Sequence, residues 1–393
     1  MRSFVQTFLF IIISIVSYYY FSPLYTTITG VKTDKNNINK EDSISTATIT
    51  IVGDLMCHLV QINYAYVEKD GYDFNGVFSE VKELLSSADF TIGNLETVLA
   101  GNEKSYSGYP FFNAPDEFLD AIHEAGFDLL VTANNHALDQ GIDGVDRTIG
   151  KMDELGLDHT GTYLSQNDRD SIRIYNINGI HIGVIAYSYG TNGVFIPSSK
   201  NYIINLIDFT LIEEDIIKAK NKGAEIVLAF YHFGEEYERE PNMYQKDVID
   251  QTIKAGADII IGSHPHVVQP INYFKTNGGS LDTGFVAYSL GNFISNQRWR
   301  YSDAGVILNI SISKDLKRDS VYLNDVSYIP TWVFKGNTES GNEYLILPST
   351  LSFYDSSYSF LTKDDNQMMQ QAFEDTKYII SKYNNRIKLI SND

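Results

Sequence analysis

Residues 258–266 read DIIIGSHPH. A short apolar run ends in glycine, and two imidazoles follow, two residues apart around a proline. The run Asp258–Ile261 predicts a buried strand, because a few apolar residues bounded by turn formers suit the inside of a sheet. The Gly-Ser-His-Pro-His end then predicts a rigid turn on which both rings can face one ion. The arrangement recurs elsewhere in the chain: ITIVGD ends in Asp54, FTIGNLE in Glu96, LLVTANNH in Asn135 and His136, and VLAFYH in His232. Four of the eight histidines sit at such ends, where packing does not ask for them. In layered α/β folds ligands bind outside the carboxyl ends of strands, so these five segments are expected to meet in one cleft.

From Ala47 onward, strand-like and helical runs alternate, the pattern of an α/β layered fold. Ala47–Val52 and Phe90–Leu95 are predicted strands. Between them Phe78, Val81, Leu84, Leu85 and Ala88 recur at helical spacing and predict a helix over Phe78–Ala88. Pro115 opens a helix that Gly126 stops. A strand over Asp128–Ala133 and a helix over Val145–Leu155 follow. Ile172–Ile177 and Ile180–Tyr187 predict a hairpin turned at Asn178-Gly179. The second half predicts helices over 211–222, 246–255 and 368–383, and strands over 225–231, 285–290, 305–312 and 320–329. The body is expected over residues 47–347, with a helical extension, 348–393, packed on it.

Each strand-end residue has an ordinary reading too. Asp54 can cap a turn, Glu96 can pair with a lysine, Asn134-Asn135 can form a turn, and His232 can be a satisfied core histidine. Their joint occurrence favours a shared metal centre. Imidazole, carboxylate and amide oxygen donors together suit Mn²⁺, Zn²⁺ or Fe, and six ligands from five segments suit two ions better than one. Among secondary candidates, Glu236 and Tyr237 either bind substrate, orient His232 or belong to a solvated acidic loop. Arg298 and Arg300 either hold an anion or lie on the surface, Asn292 is expected to fix a turn and counts with Glu236, Tyr237 and Arg298 as a substrate-binding candidate, and Trp299 is expected in the core.

The chain has 393 residues and a net charge of −20. That excludes a nucleic-acid partner, which needs a basic face to displace counterions. A single cysteine, Cys57, excludes an internal disulfide and a Cys-rich zinc site. Residues 4–21, FVQTFLFIIISIVSYYYF, carry no charge; about 20 apolar residues span a bilayer, and the Tyr18–Phe21 cluster suits its interface. A single-pass anchor over 1–22 is expected rather than a signal peptide, since no A-x-A-like cleavage site follows. A polar linker, 23–46, then leads to a body outside the cell membrane.

At six ordered motifs the sequence resembles the CapA family of poly-γ-glutamate capsule biosynthesis proteins, a branch of the calcineurin-like metallophosphoesterases. These are G-D-L-M (53–56), G-N-L-E (93–96), A-N-N-H (133–136), H-F-G-E-E-Y (232–237), G-S-H-P-H-V-V-Q (262–269) and S-L-G-N-F (289–293). The resemblance implies an α/β fold, a layered metallophosphoesterase-like β-sandwich flanked by helices. It implies metal ligation by Asp54, Glu96, Asn135, His232, His264 and His266, a proton-donating role for His136 and two divalent transition metal ions. Expected partners are the membrane, other capsule synthesis membrane proteins and poly-γ-glutamate. The wider family's first motif reads D-x-H; Met56 stands at that histidine here, and His58 lies two residues on. Glu96 replaces the usual bridging aspartate. Hydrolysis of a phosphoester or a γ-glutamyl amide, a general phosphoesterase activity and a non-catalytic scaffold all remain open.

Overall fold

The computed structural model of the chain describes residues 43–69, 71–350, 358–383 and 386–390. The expected anchor and most of the expected linker lie outside the described residues. Among those described, no helix is long and apolar enough to cross a membrane.

The described chain opens with β1 (Ile44–Leu55), α1 (Leu59–Ala65) and a small ribbon of β2 (Tyr66–Val67) with β3 (Gly71–Tyr72). Next come α2 (Lys82–Ser86), β4 (Phe90–Leu95), α3 (Asp116–Glu124), β5 (Leu129–Val131), α4 (Gly141–Leu155) and β6 (Asp158–Thr160). After α5 (Gln166–Asp170) follow β7 (Arg173–Ile177), β8 (Ile180–Ser188), α6 (Phe209–Asn221), β9 (Ile226–His232), α7 (Met243–Ala255) and β10 (Ile259–Ser263). The rest is β-rich: β11 (Ile271–Lys275), β12 (Thr283–Ala287), β13 (Asn292–Ile294), β14 (Ala304–Asp315), β15 (Ser320–Thr338) and β16 (Gly341–Pro348). Last are α8 (Lys363–Ser381) and β17 (Lys388–Leu389).

Two sheets dominate. One runs β16-β15-β14-β1-β4-β5-β6, with β13 added beside β1 and β17 beside β15; the other runs β11-β12-β10-β9-β8-β7. Strands β1, β4, β5 and β6 are mutually parallel, as are β8, β9, β10 and β12, so their carboxyl ends gather at one edge of each sheet. Side chains alternate along a strand, and the core follows that period. Ile226, Leu228 and Phe230 of β9, with Ile259 and Ile261 of β10, share one core with Ile49 and Ile51 of β1 and Ile92 of β4. Their neighbours Val227, Ala229, Tyr231 and Ile260 pack instead with Ile212 and Ile216 of α6 and Val248 and Ile249 of α7. The two sheets therefore bury facing surfaces, while helices cover the outer face of the second. On the β14–β16 side, Trp332, Phe334, Leu345 and Leu347 pack against Met369 and Ala372 of α8.

Some expectations needed correction. The helix over Phe78–Ala88 is a 3₁₀ turn, Asn75–Phe78, followed by the short α2. Phe78, Val81 and Leu85 still all reach the core, so the spacing reported burial rather than a continuous helix. Strand β1 begins at Ile44, inside the expected linker, because β14 offers partners out to Asp315. Strand β16 has no predicted counterpart; its partner β15 runs nine residues past the predicted end.

Candidate metal centre

The strand ends meet. Asp54, near the end of β1, stands in parallel register with Asn94 of β4 on one side and Asn292 of β13 on the other. Glu96 follows β4 directly, its N–H donating to the Leu55 carbonyl at 3.0 Å. His232 closes β9 in register with Ser188 of β8 and Ser263 of β10. His264 and His266 lie just past β10 with φ of 96° and 57°, backbone values that L-residues adopt only at a steric cost. Such strain gathers at functional sites, where the surroundings over-determine it.

All six expected ligands, and His136, are buried. Ligand atoms of Glu96, His232 and His264 lie within 4.8 Å of one another, and so do those of Asp54, Glu96 and His266. Glu96 is common to both groups. His264 thus falls in one of these groups and His266 in the other, while a third set joins both rings of the His-Pro-His turn with a Glu236 oxygen, so the two can also face a single ion, as the sequence suggested. His232 Nε2 is 3.5 Å and His266 Nε2 3.8 Å from Glu96 Oε1. The Asn135 Oδ1 lies 2.8 Å from His232 Nε2, close enough to share an ion with it.

A second layer aims these donors. Asn94 Nδ2 donates to Asp54 Oδ1 at 2.8 Å, and Asn134 Nδ2 to the Leu95 carbonyl at 2.8 Å. Ser263 Oγ is 2.9 Å from His232 Nδ1. Asp54 Oδ2 and Asn292 Oδ1 each lie 3.1 Å from His266 Nδ1. Asn292 Nδ2 donates to the Ser302 carbonyl at 2.8 Å and to Gln297 Oε1 at 3.0 Å. Asn292 therefore braces His266.

Protonation follows from burial and neighbours. Burial pushes the Glu96 carboxyl well up, and the adjacent Asp54 adds to it. Burial would raise Asp54 too, but the hydrogen bond and charge of His266 hold it below the usual carboxylate range. For His266, Glu96 and Asp54 outweigh burial and push the ring up to about 9. Burial holds His232 down at about 3 and takes His264 well below the usual imidazole range. The decisive feature is Glu96: both its carboxylate oxygens and His264 Nδ1 are buried without a hydrogen-bond partner. Burying polar groups unpaired is costly, and a cation at the shared position would satisfy Glu96. The donor set fits divalent cations.

His136 Nδ1 sits 2.7 Å from Asp139 Oδ2, which also accepts from the Phe112 N–H at 2.7 Å. Asp139 was missed; its only signal is the i,i+3 spacing in A-N-N-H-A-L-D. Tyr189 was missed as well. Its ring lies 4.6 Å from that of His264, and no sequence signal marks it. Tyr237 is half-exposed with its ring 6.2 Å from His266, and Trp299, expected in the core, is 50% exposed and edge-on to Tyr237 at 5.0 Å. The arginines do not join the ligand groups. Arg298 lies over the Trp332 ring at 5.2 Å, and Arg300 forks onto Asp375 of α8 with two bonds of 2.8 Å. His58 is in none of the ligand groups; it caps α1, its N–H donating to Gln61 Oε1 at 2.8 Å. Met56 is buried in its place.

The family described as bacterial capsule synthesis protein PGA_cap matches residues 48–297. The capsule biosynthesis protein CapA of Bacillus anthracis is 33% identical over 271 residues, 66% of this chain and 62% of that protein. The PGA biosynthesis protein CapA of Bacillus subtilis (strain 168) is 28% identical over 289 residues, 72% of each chain. The chain thus spans less than two thirds of the first relative's length. Among solved structures, a novel phosphatase of Mycoplasma pneumoniae overlays with a TM-score of 0.45 at 14% identity, over 73% of this chain and 94% of that one. The NAD nucleotidase of Haemophilus influenzae gives 0.44 at 13% identity, over 89% and 58%.

Proposed function

Because the chain belongs to the bacterial capsule synthesis family PGA_cap, we propose that it serves poly-γ-glutamate capsule synthesis, export or retention as a membrane-anchored, extracytoplasmic protein with a two-cation hydrolase-type centre. The observation that carries the centre is Glu96, a buried carboxyl with no hydrogen bond, common to two groups of ligand atoms. One ion would be held by Glu96, His232 and His264 with the Asn135 oxygen, the other by Asp54, Glu96 and His266. Such ions supply Lewis acidity and a water acidic enough to ionise near neutral pH.

The chain's own residues do the rest. Asp139 holds His136 through Nδ1, which leaves Nε2 to give a proton to a departing oxygen or amine. Burial of Asp54, Glu96 and His232 keeps bulk water from screening charge that develops in the reaction. Tyr189 and Tyr237 wall the mouth beside His264 and His266. A phosphoester and a γ-glutamyl amide both fit this chemistry. With Arg300 committed to Asp375 and Arg298 over Trp332, approach of a polyanion to a chain of net charge −20 relies on the bound cations. Met56 at the missing ligand position favours a second reading, a polymer-binding scaffold without turnover.

Metal content of the purified protein, with turnover of an aryl phosphodiester and a γ-glutamyl oligomer side by side, tests both. The hydrolase reading expects bound transition metal, and loss of turnover in Asp54→Asn and His264→Ala with unchanged circular dichroism. Less than one equivalent of Mn, Zn or Fe after reconstitution overturns it and leaves the scaffold.

A further inference from the structure

One carboxylate at the centre differs from the rest. Glu236, on the loop that follows β9, is exposed, yet one of its oxygens and a ring nitrogen each of His264 and His266 lie within 4.8 Å of one another. The loop is fastened over the His-Pro-His turn. Phe233 donates its N–H to the Ser263 carbonyl at 3.1 Å, and Tyr237 to the Pro265 carbonyl at 2.8 Å. Gln269 Nε2 donates to the Glu238 carbonyl at 2.8 Å, and Gln245 Nε2 of α7 holds Gln269 Oε1 at 2.8 Å; both glutamines are fully buried. Tyr237 takes φ of 67°, a third left-handed non-glycine residue beside His264 and His266. Gly234 has φ of 111°, and Gln245 occupies the space its Cβ would need. A merely solvated acidic loop would not require this backbone cost.

His264 and His266 each belong to a different buried group, so Glu236 stands on the solvent side of both. We propose that Glu236 is an exchangeable ligand: its carboxylate takes the open, solvent-facing position at the cations of the resting centre, and an incoming oxyanion displaces it. This rests on the metal-centre reading above. Carboxylate oxygen is an apt donor for Mn²⁺-like ions, and a side chain on the exposed side can swing away without disturbing the buried six. Glu235, also exposed, is absent from the ligand group and serves as control.

Titration calorimetry of the purified protein with Mn²⁺, then with inorganic phosphate at saturating Mn²⁺, tests the assignment in wild type, Glu236→Gln and Glu235→Gln. Glu236→Gln is expected to weaken one Mn²⁺ by about tenfold or more, as losses of supporting groups at metal sites do. Phosphate is expected to bind at least about fivefold tighter, since a like charge near 4 Å is removed. Glu235→Gln should match wild type in both. Glu236→Gln indistinguishable from wild type, or binding phosphate more weakly, overturns the exchange while leaving the centre intact. A wild-type protein that takes up no Mn²⁺ overturns the centre itself, and the exchange with it.

Discussion

Gly53 precedes Asp54 where β1 passes the turn before β13, and the Asp54 N–H donates to the Gly291 carbonyl at 3.0 Å. An alanine Cβ at residue 53 would collide with the Gly291 oxygen and lie 3.0 Å from the Gly291 carbon and 3.2 Å from the Leu290 carbon. Carbon pairs rest at about 3.5–4.0 Å, and the oxygen contact is tighter still, so the two backbones must part by roughly 1 Å or more. No flexible side chain can absorb this, because every clashing atom is main chain. Metal–ligand distances tolerate only about 0.2 Å, so Asp54 leaves its place relative to Glu96 and His266. Gly53→Ala is expected to cost about 1–3 kcal/mol of stability, the range for overpacking. It should also weaken one metal equivalent by about tenfold or more, comparable to loss of a group that orients a ligand. Denaturant unfolding of the metal-free protein and Mn²⁺ calorimetry measure the two effects. A Gly53→Ala protein with wild-type stability and affinity would refute the reasoning, since it would mean β1 can yield without moving its carboxylate.

Asp139→Asn should lower kcat by about 10²–10⁴, the usual span for a positioned proton donor, with KM and metal content unchanged; unchanged kcat would remove His136 from the chemistry. Asp215→Ala should destabilise the fold by about 3–5 kcal/mol, because it strands a buried guanidinium. Arg169 forks onto Asp215 at 3.0 and 2.6 Å, with the Tyr187 hydroxyl at 2.7 Å; the paired replacement Arg169→Met with Asp215→Leu should recover most of the loss in denaturant unfolding. Asp116 accepts two bonds from Arg147, which outweigh its partial burial and hold its carboxyl below the usual range. A depressed carboxylate contributes stability above its unfolded value, about 3.9, and loses it as pH falls through the folded one. The thermal midpoint of wild type over Asp116→Asn should therefore be constant near neutrality and shrink below about pH 4; a gap that persists to lower pH would refute the pairing.

Much of the architecture lay in local pattern. Apolar runs such as 227–231 and 258–261 declared strands because a sheet buried on both faces leaves no room for polar alternation, and Asn178-Gly179 marked a hairpin that β7 and β8 form with Ile177 opposite Ile180. The polar residue closing each run was equally legible, because chemistry at a strand's carboxyl end breaks an otherwise apolar word. Such signals extend over a few residues. What depended on contacts between distant segments was not readable. Glu96 lies between two groups of ligand atoms, Asn292 reaches His266, Arg298 and Arg300 engage Trp332 and Asp375, and Glu236 returns over the His-Pro-His turn. Each is decided by which side chains burial and charge force together across more than about 25 residues, and no periodicity along the chain encodes that pairing.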